Sequence, residues 1–422
     1  MRVELTIERL GQRGEGIARG ADGLIYVPYA LPGDTILAEV EGTRGRLVEI
    51  TAPSRERIAP FCPHFGTCGG CAVQALAPRA YAEWKRDLLV SALRHAGIEA
   101  EVDPLVDAHG LGRRRATFHA RSDGGKPRVG FMRARAHELI DLDSCPILAP
   151  QMNGALAAAH AVAATLRAGR KPLDIAVTAF QSGLDIDVKG HGPLTPAELK
   201  AAAKLAEAHD LARISNDRLV LVERRTPILR MGKADVAPPP GAFLQATEAG
   251  EAALAAKVCE SLKGARQIAD LFAGIGTFGL RLAERAQVHA VDSDESALAA
   301  LRKAARSASG LRPITIEKRD LFRRPLGKEE ITRFDAVLFD PPRAGAEAQA
   351  GALAQSTVPL IVAVSCSPQS FARDTALLVA GGYRLQSVTP FDQFRHSPHL
   401  ECVGIFRRHS MPTRKPRKPL LG

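Results

Sequence analysis

The chain has 422 residues, 45% hydrophobic and 24% charged, with a formal net charge of +11 from 57 Lys and Arg against 46 Asp and Glu. It is too long for one ordinary core and implies two to three globular domains. No apolar run reaches membrane-spanning length and Met1-Arg2-Val3-Glu4-Leu5 is no secretory leader, so a cytoplasmic chain without a membrane partner is expected.

The positive excess favours a polyanionic partner through counterion release. Arg113, Arg114, Arg115, Arg128, Arg133 and Arg135 cluster along a presumed hairpin. Arg414, Lys415, Arg417 and Lys418, set among prolines, read as part of a disordered basic tail over 411–422.

Residues 1–53 alternate apolar and polar positions in short runs, at Val3 to Ile7, Leu24 to Val27 and Thr35 to Val40, separated by Gly and Pro turns. That pattern describes a small antiparallel barrel of the OB type, a fold that often binds RNA. Next comes Cys62-x5-Cys68-x2-Cys71, with Gly69 and Gly70 between the last two. Together with the distant Cys145 it uses four of only seven cysteines. Thiolates are soft ligands, so the spacing suits either zinc or an iron–sulfur cluster. An odd cysteine count argues against a secreted disulfide framework, and Cys259 and Cys402 read as buried free thiols.

From 54 to 237 the pattern is mixed α+β. A helix over 78–96 carries Tyr81 and Trp84, whose rings suit a core. Strands are predicted at Arg115 to Arg121 and Arg128 to Leu142 with Asp123-Gly124-Gly125 as the turn, and Ala-rich helices near 152–168 and 196–209. Pro238-Pro239-Pro240-Gly241 then marks a boundary.

Over 238–410 the character changes to alternating helix and strand. A helix near 247–262 precedes strands at Gln267 to Phe272, Gln287 to Asp292, Ile314 to Lys318, Ala336 to Phe339 and Leu360 to Val364. Such alternation means a Rossmann-like parallel sheet, whose ligands gather at the carboxyl ends of the strands. Gly274-Ile275-Gly276-Thr277-Phe278-Gly279 follows the first strand and lets backbone approach a ligand. Alone it fits a dinucleotide, an adenosyl cofactor or a tight turn. Asp292 ends the next strand, where a carboxylate suits a ribose diol, and Asp320 follows a later one. Asp340-Pro341-Pro342-Arg343 and Ser365-Cys366-Ser367-Pro368 end two further strands, making Cys366 a candidate nucleophile at a cleft. Glu401, between apolar residues in His399-Leu400-Glu401-Cys402, reads as a general base or an outward strand residue, and His396 and His399 as loop residues without chemistry.

Taken together these segments resemble the RNA (uracil-5-)-methyltransferases, in particular the iron–sulfur members acting on 23S rRNA. Residues 1–53, with Gly14-Glu15-Gly16-Ile17-Ala18, look like the family's TRAM barrel. Cys62, Cys68, Cys71 and Cys145, the last in Ser144-Cys145-Pro146-Ile147-Leu148, match its cluster ligands and imply a 4Fe-4S cluster in the central domain. By the same likeness Gln245, Phe272, Gly274, Thr277, Asp292, Asp320 and Asp340 line an S-adenosylmethionine site. Ser365-Cys366-Ser367-Pro368 looks like the nucleophile motif and His399-Leu400-Glu401 the general-base motif. The chain departs from the family pattern at Thr247 and Thr277, where asparagine is commoner. The resemblance implies methylation of C5 of a uridine, in 23S rRNA ahead of the T-loop of tRNA, by a monomer without an obligate protein partner. An iron–sulfur oxidoreductase using a dinucleotide is the competing reading from another class.

Overall fold

The computed structural model describes residues 1–122, 125–134, 136, 138–166 and 172–408. The Asp123-Gly124-Gly125 turn, Arg135 and the basic tail lie wholly or partly outside these residues. Strands β1 (Arg2–Leu10), β2 (Gly16–Gly20), β3 (Gly23–Val27), β4 (Thr35–Glu41) and β5 (Arg44–Ala52) close into a barrel in the order β1-β2-β3-β5-β4. The inward positions of the alternating runs, Leu5, Ile7, Ile25, Val27, Ile36 and Ala38, form its core. β2 and β5 lack strict alternation and escaped the sequence reading. Gly45 in β5 has no room for a side chain, since a Cβ would meet Val27 Cγ2 at 2.6 Å.

Helix α1 (Pro78–His95) follows, then β6 (Val106–Asp107), β7 (Arg115–Arg121), β8 (Arg128–Met132), β9 (Leu139–Asp141), α2 (Ala155–Thr165), β10 (Leu173–Phe180), β11 (Gly183–Lys189), α3 (Pro196–Ala208), β12 (Arg213–Asn216) and β13 (Leu219–Glu223). The strand anticipated over 128–142 is therefore two, antiparallel to each other, with Gly130 paired to Asp141 and Arg133 bonded back to Glu138 at 2.6 Å. Strands β7 to β13 without β6 make a sheet in the order β13-β12-β11-β10-β7-β8-β9, and α2 and α3 pack on it through Ala158, Val162, Ala202 and Leu205.

Among its described residues this central layer shows no iron–sulfur site. Among the described residues no three His, Cys, Asp or Glu side chains come together as a metal-binding group. Cys62, Cys68, Cys71 and Cys145 are free, half-buried thiols lining one cavity with Phe65, Phe131, Leu142 and Arg113. Burial pushes Cys71 up to about 11 and Cys145 up to about 12, so both are held as protonated thiols. The expected 4Fe-4S cluster, and with it the iron–sulfur type within the family, is withdrawn.

A two-stranded ribbon, β14 (Leu229–Met231) and β15 (Ala234–Val236), leads to α4 (Glu248–Ser261), whose N-cap Thr247 accepts from Gly250 N–H. Then come β16 (Gln267–Leu271), α5 (Gly279–Leu282), β17 (Gln287–Asp292), α6 (Glu295–Ser307), β18 (Ile314–Lys318), α7 (Lys328–Thr332), β19 (Ala336–Phe339), α8 (Glu347–Gln355), β20 (Leu360–Ser365), α9 (Pro368–Ala380), β21 (Tyr383–Asp392) and β22 (Glu401–Arg408). The sheet order is β18-β17-β16-β19-β20-β22-β21-β6. β18 to β20 are mutually parallel, and β22 runs antiparallel to β20. Apolar strands buried on both faces, Ala336 to Phe339 and Leu360 to Val364, are what such a sheet demands. The edge strand β6 comes from the segment just after α1, far ahead of the rest of this sheet in sequence, and α1 shares a core with α9 through Leu89, Leu93 and Phe371. Among the described residues no helix is long and apolar enough to cross a membrane.

Candidate active site

β16 is the parallel neighbour of both β17 and β19, so their three carboxyl ends lie at the same edge of the sheet. The turn after β16 is strained: Phe272, not a glycine, has φ +62, and Gly274 and Gly276 follow at +54 and +92. Asp292 at the end of β17 holds this turn, accepting from Gly274 N–H at 2.9 Å and Asp294 N–H at 2.8 Å. Thr277 is half-buried in the same turn. Asp320, exposed, caps its own loop by accepting from Phe322 N–H at 3.0 Å. The Phe322 ring lies 5.4 Å from that of Phe272.

Asp270, on β16, is 1% exposed and neither carboxylate oxygen has a hydrogen-bond partner. Gly279 makes room for it, since a Cβ there would meet Asp270 Oδ2 at 2.6 Å. Burial, then the Asp340 and Asp292 charges, pushes Asp270 up to about 8, and burial alone pushes Asp340 up to about 7. The Asp340 and Asp292 charges thus act on the buried Asp270 beside a strained glycine turn. Of the residues expected at the cofactor, Phe272, Gly274 and Thr277 lie in the turn after β16 and Asp292 holds that turn.

The expected nucleophile and base come together through sheet register. Ser365, the last residue of β20, pairs with Cys402 of β22, which brings the next residue, Cys366, close enough to Glu401 for that charge to act on its thiol. Glu401 is 2% exposed, which removes the reading of it as an outward strand residue. Burial and then the Asp340 charge push its carboxyl up to about 8, against Gln393, Arg343 and Lys85. Cys366 is half-buried, and burial followed by Glu401 and Asp340 pushes its thiol up to about 12, while Arg343 pulls it down. Arg343 donates to His399, 2.8 Å from Nε2, so that ring accepts and is neutral; burial and Arg343 push it down to about 4.

Sequence reasoning missed three residues that shape this site. Gln393 Nε2 donates to Glu401 Oε1 at 3.0 Å and to Gln245 Oε1 at 2.6 Å, joining these two side chains. Lys85 on α1 has no exposed side-chain surface; it pairs with Asp392 at 2.8 Å and donates to the Phe394 and His399 carbonyls. Tyr81, one turn earlier, donates to Asp392 Oδ2 at 2.6 Å and accepts from His396 N–H at 2.9 Å. Thus α1 holds the segment that delivers Glu401. The third is Arg218, at a turn where Asp217 and Arg218 have φ +47 and +68; its Nη2 reaches Asp294 Oδ2 and Ser296 Oγ, each at 2.8 Å. A lysine at helical spacing among Tyr81, Trp84 and Leu88 was the signal for Lys85. Gln393 and Arg218 had none.

Residues 239–409 match the family described as tRNA (Uracil-5-)-methyltransferase. The chain is 45% identical over 405 residues to an uncharacterized RNA methyltransferase of Brucella suis biovar 1, covering 96% of this chain and 98% of the relative. It is 33% identical over 427 residues to the 23S rRNA (uracil(1939)-C(5))-methyltransferase of Chromohalobacter salexigens, covering 96% and 89%. The chain belongs to the RNA uracil-5-methyltransferase family. This methyltransferase is an S-adenosylmethionine-dependent enzyme acting on RNA, and the dinucleotide oxidoreductase alternative falls. Its fold is shared with the tRNA (uracil-54, C5)-methyltransferase of Pyrococcus abyssi, solved with S-adenosyl-L-homocysteine. That likeness has a TM-score of 0.74 at 24% identity, over 96% of this chain and 99% of that one.

Proposed function

We propose that the enzyme methylates C5 of a uridine in a structured RNA through a transient bond between Cys366 and C6 of the ring. The observation that supports this is the register of β20 and β22, which brings Cys366 next to a buried Glu401 whose charge acts on its thiol. C5 of uracil is a poor nucleophile. Cys366 adds to C6 as the thiolate, its proton lost to solvent, and the electron pair of the C5–C6 bond moves to C5 and the ring oxygen. When bound, S-adenosylmethionine supplies an electrophilic methyl group. Glu401 then removes the C5 proton as the C6–S bond breaks, and the electron pair returns to Cys366. A carboxylate raised towards neutrality serves this step better than an ordinary one, because it holds the proton it takes. Gln393 keeps Glu401 in place, and Asp340 beside it belongs to the cofactor side.

A uridine inside a duplex cannot offer C5 and C6 to groups buried in a cleft, so the substrate is a loop or an extruded nucleotide. Precedence of 23S rRNA over tRNA is not retained: the relative at 33% identity is named for 23S rRNA, the structure sharing the fold for tRNA. Both enter the test as equals. The experiment is labelled-methyl transfer to tRNA and to 23S rRNA from cells lacking the enzyme, with mapping of 5-methyluridine. Label in 5-methyluridine at one site supports the proposal; label in another base, or none, contradicts it.

A further inference from the structure

Phe243 lies two residues before Gln245, with 68% of its surface exposed. A single exposed apolar side chain is ordinary on a protein surface. What distinguishes this one is the backbone beneath it. Gly241 turns with φ +66, and a Cβ there would meet Asp187 Oδ2 at 2.7 Å. Arg115 Nη1 donates to the Leu244 carbonyl at 2.6 Å, Arg114 Nε to the Gln245 carbonyl at 3.1 Å, and Ala246 N–H to Gln393 Oε1 at 2.8 Å. Before the ring, Arg218 Nε donates to the Pro240 carbonyl at 3.2 Å, so the loop is held on both sides while the ring itself stays exposed.

The second observation is the cation beside it. The Arg115 guanidinium carbon lies 5.1 Å from the Phe243 ring centroid. Arg115 is half-buried, its neighbouring charge is Arg114, and no carboxylate pairs with it among the described residues. A cation kept partly out of water without a counter-charge suits an anionic ligand, and a guanidinium against an aromatic ring makes a planar, positively polarised surface. The location is equally specific. Two residues of chain, roughly 7 Å, separate Phe243 from Gln245, whose side chain leads through Gln393 to Glu401.

We infer that Phe243, backed by Arg115, is a stacking platform for an RNA base flanking the methylated uridine. This rests on the RNA-uridine reading above and adds a nucleotide subsite to it. Extruding a uridine leaves its neighbours without a stacking partner, and an aromatic face restores one whatever the base. Arg115 supplies the charge that the adjoining phosphate meets.

The test uses the full-length enzyme and undermethylated total RNA, with Phe243→Ala, Phe243→Leu and Phe243→Trp. Ala and Leu are expected to raise KM for RNA about tenfold, the range of one lost base–aromatic stack, while the dissociation constant of S-adenosylhomocysteine stays within about twofold. Trp keeps KM near wild type, and its fluorescence is quenched by a uridine-containing oligoribonucleotide. An unchanged KM in the Ala variant, a Leu variant equal to wild type, or an unquenched Trp overturns the platform. Wild-type enzyme that methylates no RNA defeats the RNA-uridine reading itself, whereas an active wild type with an indifferent Phe243 defeats only the subsite.

Discussion

Gln393 Nε2 lies 3.0 Å from Glu401 Oε1, and both residues are buried. A donor aimed at a carboxylate favours its charged form, and here it opposes the burial that raises Glu401. Replacing Gln393 with Leu removes that opposition. The acidic limb of the pH–rate profile is expected to move to higher pH by about one unit, the size of one lost hydrogen bond to a charged group. An unmoved limb in the pre-steady-state breakdown of the methylated adduct would show that Gln393 does not act on the base.

Glu401→Gln is expected to stop turnover after methylation and leave a protein–RNA adduct visible as a mass shift. The same variant has a stability signature. Glu401 has a folded-state value of about 8, above the ordinary carboxylate, so the folded protein binds the extra proton. Wild-type stability therefore declines as pH rises from about 4.5 through 8. Thermal unfolding from pH 5 to 9 should show the Gln variant gaining on wild type as pH rises; a constant difference would mean that Glu401 is not raised.

Lys85→Met leaves Asp392 buried with Tyr81 as its remaining donor from α1. Breaking one side of a buried pair costs roughly 3–5 kcal/mol, and urea unfolding should register a loss of that size. Because Lys85 also holds the Phe394 and His399 carbonyls, adduct resolution should slow at permissive temperature. A variant with wild-type stability and rate would separate α1 from the placement of Glu401.

Arg218→Ala should weaken cofactor binding by about threefold without changing kcat, since it frees the start of α6 next to Asp292 and the exposed ion pair contributes little by itself. Calorimetric titration with S-adenosylhomocysteine measures this. An equal loss in kcat would place Arg218 in the chemical step instead.

The parallel strands were legible because each is a short apolar run ending in a polar residue, and β16 to β20 fall within a residue or two of their expected bounds. The tightly spaced glycines after β16 were legible for the same local reason. Register between strands far apart in sequence was not. Nothing in the order of residues says that β22 lies beside β20, yet that neighbour relation is what brings Cys366 close to Glu401. Lys85, Gln393 and Arg218 act through contacts with segments remote in the chain, so periodicity could at most mark Lys85 as misplaced on an apolar face. The cysteines mark the opposite failure: close spacing of Cys62, Cys68 and Cys71 suggested a ligand set, but convergence depends on how the loop and Cys145 pack. Among the described residues, they form no metal-binding group.

The most direct measurement is mass spectrometry of the wild-type enzyme incubated with S-adenosylmethionine and RNA carrying 5-fluorouridine, where fluorine replaces the proton that Glu401 must remove. A methylated fluorouridine covalently attached to the peptide containing Cys366 is the predicted product. No covalent product, or attachment at any other residue, would contradict the account.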